Sequence, residues 1–85
     1  MNEFESFKMW LDANTAYTKA TKSNIVSRLR RADKLMPVVA DPIYLFTLSQ
    51  CSEFTALSVN VKSQIRRAVR IYHQYLEGKE KTADA

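Results

Sequence analysis

Apolar side chains recur three and four residues apart along nearly the whole chain, and nowhere do apolar and polar positions alternate over a strand's length. That period belongs to helices that bury one face. The first predicted helix opens near Asn2, a good N-cap side chain, with Glu5 three residues on in capping-box register. Phe4, Phe7 and Leu11 form its stripe and Trp10 widens it; the helix is expected to end around Ala13, before an Asn14-Thr15-Ala16 turn.

The second helix is predicted to start at Thr18, whose hydroxyl accepts from free amides of the first turn. Ile25, Leu29, Ala32 and Met36 make its buried face, flanked by Val26 and Leu35. Pro37 has no amide proton and biases Met36 away from helical geometry, so the helix should stop near Leu35. Asp41-Pro42 then reads as a start signal, with Asp as cap and Pro in the first helical position. The short helix behind it carries Ile43, Tyr44, Leu45, Phe46 and Leu48, apolar nearly all round, which predicts burial on several sides.

That helix should fade near Gln50, leaving Cys51 to Leu57 as a connection whose Phe54 and Leu57 are available to plug the core. The last helix is predicted from a Ser58 cap to about Glu77, with Val61, Ile65, Ala68, Tyr72 and Leu76 inward and Val69 and Tyr75 beside them. Gly78 stands where a left-handed C-terminal cap is expected. The reading is all-α: a compact bundle of four to five helices over residues 1–78, then a polar, disordered tail over 79–85. There is no internal repeat and no linker.

Composition removes several kinds of chemistry. An 85-residue chain makes one small domain with little interior left to enclose a substrate. One Gly rules out phosphate-binding loops that need several, and one Cys with one His rules out a disulfide framework and a nitrogen–sulfur zinc site. No cofactor is expected. The acidic opening Met1-Asn2-Glu3-Phe4-Glu5 is unlike a signal peptide, no apolar run is long enough to span a bilayer, and a lone Cys suits a reducing compartment. The expectation is a soluble, cytoplasmic protein without a membrane partner.

Charge is concentrated in two places. Residues 18–34 hold six basic side chains (Lys19, Lys22, Arg28, Arg30, Arg31, Lys34) against Asp33 alone, and residues 58–76 hold Lys62, Arg66, Arg67 and Arg70 against no acid. The rest of the chain carries three bases and eight acids. Two such segments suit either attraction to a polyanion, nucleic acid above all, or solvated helix faces.

No enzyme is readable. His73 is expected at the polar margin of the last helix as a bystander, Cys51 as a small buried hydrophobe, and no pair of acids shares a helix face beside a cavity. On the last helix, Ser63, Arg66, Arg67 and Arg70 lie on one side, away from the Ile65/Tyr72 stripe. With Lys62 the segment holds four cations without an intervening acid; these repel one another, and neutralising phosphates is a reason to keep them. Thr18 and Thr21 at the start of the second helix suit phosphate donation or plain capping.

These same segments resemble a known family. The stretch Tyr17 to Arg31 is similar to the opening of the N-terminal core-binding domain of tyrosine recombinases, the phage integrases, and Ser63 to Leu76 is similar to that domain's closing helix. The leading Phe7-x-x-Trp10-Leu11 fits as well, and the likeness covers about residues 4 to 77. Ile25 departs from the family's frequent Tyr, and the middle segment is short. The family's catalytic domain has no counterpart here, and His73-Gln74-Tyr75-Leu76 lacks the Arg of its His-x-x-Arg motif, so its enzymology does not transfer.

The resemblance implies a SAM-like helical bundle that clamps duplex DNA with its second and last helices. The expected contact set is Lys19, Thr21, Lys22, Arg28 and Arg31 on one helix and Lys62, Ser63, Arg66, Arg67 and Arg70 on the other. The expected partners are duplex DNA and a recombinase or other protein. The competing expectation is a small interaction module, a phage or mobile-element regulator or adaptor, docking on an acidic protein; solvent-facing Trp10 or Phe4 would favour it.

Overall fold

The computed structural model describes residues 3–83. Five helices follow in order: α1 (Glu3–Asn14), α2 (Lys19–Leu35), α3 (Tyr44–Ser49), α4 (Ser52–Thr55) and α5 (Val59–Ala83), with no strand among the described residues. The all-α bundle expected from the periodicity is what forms. The proposed Asn2 cap lies outside the described residues.

Capping chemistry sets several of the boundaries. The Thr18 hydroxyl accepts from the Thr21 amide at 3.2 Å, and the Ser58 hydroxyl accepts from the Val61 amide at 3.3 Å. Before Pro37, Met36 is extended at φ −159° and ψ 124° and closes α2 through its amide bond to Ala32 O. At the end of α1, the Asn14 side-chain amide donates to Trp10 O and the Thr15 hydroxyl donates to Leu11 O, satisfying carbonyls that the helix leaves free.

α2 and α5 form the main packing pair, and α1 rests against both. Phe7, Leu11, Leu29, Leu48, Ile65 and Val69 are fully enclosed, each stabilising the fold by about 1.5–3 kcal/mol relative to exposure. Phe4 and Phe7 of α1 meet Tyr72 of α5 edge-on, with ring centroids 5.5 and 5.2 Å apart. Trp10 is half-buried, stacked on Phe7 and tilted against Tyr75. Phe54 plugs the core from α4 as anticipated.

Several expectations give way to tertiary packing. Asp41 and Pro42 make a turn ahead of α3: the Asp41 carboxylate accepts from the Ile43 amide and Asp41 O from the Tyr44 amide, so the helix starts two residues after the proline. α3 buries only Tyr44 and Leu48, while Ile43 and Phe46 are 58% and 65% exposed. A six-residue helix meets the core along a single edge, so an all-round apolar sequence does not find cover on every side. On α5, Val61 and Leu76 are half-buried, and Ile71 is buried instead. Ile71 lies two turns beyond Gln64, whose side chain meets α2, so it falls on the edge that the neighbouring helix covers.

Gly78 does not end α5. No glycine has positive φ among the described residues, and the helix continues to Ala83 through residue types that favour helix. The expected disordered tail is thus helical backbone as far as Ala83, and its last two residues, Asp84 and Ala85, lie outside the described residues.

Candidate nucleic-acid interface

The basic residues of α2 point to two different neighbours. Lys22 Nζ lies 2.6 Å from Asp12 Oδ1 on α1. That hydrogen bond, with the Lys22 charge behind it, holds the Asp12 carboxyl below its ordinary 3.8. Lys19 stands one turn earlier and is exposed. On the opposite edge, Arg28 Nε donates to Gln64 Oε1 of α5 at 2.7 Å, and the exposed Arg31 follows one turn on. The five α2 residues of the expected contact set therefore divide, with Lys22 turned toward α1, Thr21 and Arg28 beside α5, and Lys19 and Arg31 exposed.

Between α2 and α5 runs a narrow groove of about 180 Å³, floored by Ile25 and Ala68. Thr21, Asn24 and Arg28 line one wall, and Gln64 and Arg67 line the other. Thr21 is engaged locally: its amide donates to the Thr18 hydroxyl, and the two hydroxyls are 3.0 Å apart. Capping accounts for this pair, while Thr21 also lines a groove walled by two arginines.

The α5 cations fan out across the outer face of their helix. Ser63, Arg67 and Arg70 are exposed, whereas Lys62 and Arg66 are half-buried. The Arg66 guanidinium sits 5.3 Å above the Phe54 ring, and that of Arg67 sits 5.8 Å above Tyr17. At such partly exposed sites each contact contributes about 0.5–1 kcal/mol, so these two arginines also tie α5 to α4 and to the α1–α2 connection.

Among the described residues, the only side-chain ion pair is Lys22–Asp12, so none of the six arginines has a carboxylate partner. A surface that kept its charge for stability alone would be expected to interleave acids, which lower the mutual repulsion. A broader depression of about 610 Å³ opens on the outer side of α2, bordered by Arg28, Arg30, Arg31, Lys34 and, from α1, Lys8. Lys8, Arg30 and Lys34 were not in the expected contact set. Arg30 and Lys34 share a spacing of four that would have identified them, but Lys8 lies in an acidic segment and only the packing of α1 brings it here.

The other reactive side chains have structural surroundings. His73 donates its Nε2 proton to Val39 O at 2.9 Å and so holds the α2–α3 loop against α5. Cys51 is half-buried at the α3–α4 junction, less covered than expected. Tyr72 and Tyr75 face the core as anticipated. Among the described residues, no helix is long and apolar enough to cross a membrane.

No protein-family model matches the chain, and neither a curated protein nor a solved structure matches it, so the likeness to recombinase core-binding domains rests on its residues alone.

Proposed function

We propose that this chain is a non-catalytic, cytoplasmic DNA-binding domain that holds duplex DNA through the basic surface shared by α2 and α5. The observation that carries the reading is the set of six arginines, without carboxylate partners among the described residues, on two adjacent helices bridged by the Arg28–Gln64 hydrogen bond. Such a surface lowers its own electrostatic energy by neutralising phosphates and releasing counterions. Arginine also suits base edges through bidentate donation, while Ser63 and Thr21 suit the backbone. The half-buried lone thiol fits a reducing compartment. The resemblance to core-binding domains supports the same two helices and adds a recombinase as a protein partner.

Fluorescence anisotropy with a labelled mixed-sequence duplex, titrated over roughly 50 to 200 mM salt, tests the reading. Four to six neutralised phosphates predict a log–log slope of about −3.5 to −5.5. Absence of binding at the lowest salt would overturn it.

The competing module that docks on an acidic protein draws support from a different place. Phe4 is buried and Trp10 is packed on Phe7, so neither offers the solvent-facing aromatic anchor expected for it. Its apolar contact would instead be Ile43, just before α3, and Phe46 on α3, one turn apart and both exposed. Loss of partner capture on Phe46→Ser with duplex binding intact would favour that reading.

A further inference from the structure

The depression on the outer side of α2 has features that the α2–α5 groove does not need. Its cations come from two helices, Lys8 from α1 and Arg28, Arg30, Arg31 and Lys34 from α2, and no acid lines it. Asp33, the one acid of this helix, turns its carboxylate to the Val38 amide at 3.0 Å. Lys8, Arg30, Arg31 and Lys34 are all exposed, and among the described residues none of them makes a hydrogen bond or an ion pair that would explain its place. Ser23, Ser27 and Lys34 lie along one strip of the helix, about 16 Å from first to last at the usual rise. That length meets several phosphates of one DNA strand, which are roughly 3.4 Å apart along the duplex axis.

We infer that this depression is a second seat for duplex backbone phosphates, with Lys8, Arg30 and Lys34 supplying charge and Ser23 and Ser27 donating hydroxyl hydrogen bonds. The inference rests on the DNA-binding reading and extends its footprint around α2 onto α1. Arg28 borders both this depression and the α2–α5 groove, so the basic surface runs without a break from Lys8 to Arg67. The shape favours an extended polyanion over a small anion: about 610 Å³ of open space is far more than one phosphate fills. Its mixture of lysines, arginines and hydroxyls matches contacts that position a backbone without reading sequence.

The test is the same anisotropy titration on the full chain carrying Lys8→Ala, Arg30→Ala and Lys34→Ala together. All three side chains are exposed, so circular dichroism and the melting temperature should stay near wild type. The expected result is a salt slope shallower by about 2 to 3 and at least tenfold weaker binding at the lowest salt. Ser27→Asp, which places a carboxylate among the cations, should weaken binding in the same direction. Wild-type slopes in both variants would overturn the second seat and leave the α2–α5 surface standing. A wild-type chain that fails to bind duplex at low salt would overturn both.

Discussion

Arg28 and Gln64 join the two basic helices: the guanidinium Nε donates to the amide oxygen at 2.7 Å across the α2–α5 groove. Gln64 thus holds Arg28 without neutralising it. Gln64→Glu should separate stability from function. The new carboxylate converts the bond into an exposed ion pair and should leave stability unchanged or raise it by up to about 1 kcal/mol. The same carboxylate repels phosphates, so duplex binding should weaken and the salt slope should fall by about 1. Urea denaturation and anisotropy on one variant check both halves, and undiminished binding would remove the groove from the interface.

Tyr44 fastens α3 to the end of α2. Its hydroxyl donates to Met36 O at 2.6 Å, with Ala32 O at 3.3 Å, in a site where the residue is 2% exposed. Tyr44→Phe takes this donor from Met36 O, while Ala32 O keeps the Met36 amide, and should cost about 1–2 kcal/mol, lowering Tm by roughly 4–8 °C per kcal/mol. Burial, aided by the Asp33 charge, pushes the phenol up to about 12. Because the neutral form is favoured in the fold, this contribution is intact below the unfolded value near 10 and is lost as pH rises from 10 through 12. The stability gap between wild type and Tyr44→Phe should therefore shrink across that window. A gap that stayed constant would show that the phenol ionises as freely in the fold as outside it.

What the sequence discloses and what it withholds follow from the range of the interaction involved. The stripe of Ile25, Leu29 and Ala32 and the caps at Thr18 and Ser58 depend on neighbours within a turn or two, and they appear where the spacing puts them. The exposure of Phe46 depends on how much core surface a six-residue helix can reach, which no local pattern carries. The candidate interface divides in the same way. Concentration of charge on α2 and α5 is visible residue by residue. The turning of Lys22 toward Asp12, and of Arg28 toward Gln64, is decided by which helix lies on each side of α2. Lys8 is the clearest case, since its place beside Arg30 and Lys34 exists only once α1 has packed.

The Lys22–Asp12 pair should leave an acid signature. The lysine hydrogen bond depresses the Asp12 carboxyl, so its contribution is fully present above the ordinary 3.8 and is lost as pH falls through the lower folded value. Asp12→Asn should lie below wild type in urea midpoint at pH 7 and converge on it in acid. Since Asp12 is exposed, added salt should narrow the difference at pH 7 as well. A difference that persists unchanged at the lowest pH would mean that Asn perturbs α1 for some reason other than lost charge.

Gly78 offers the sharpest test of where α5 ends. A left-handed C-terminal cap requires positive φ, and Gly78→Ala at such a position destabilises by about 1 kcal/mol. In the structure its φ is not positive, the helix continues to Ala83, and a Cβ built there would meet nothing within 4 Å. Alanine then replaces the residue that loses most backbone freedom with the best helix former, at no steric cost. The expected outcome is a gain of up to about 1 kcal/mol, reduced by fraying near the helix end, with more helical ellipticity at 222 nm. A lower Tm would mean that the chain leaves the helix at Gly78, and that the residues beyond it do not extend the helix that carries Arg66, Arg67 and Arg70.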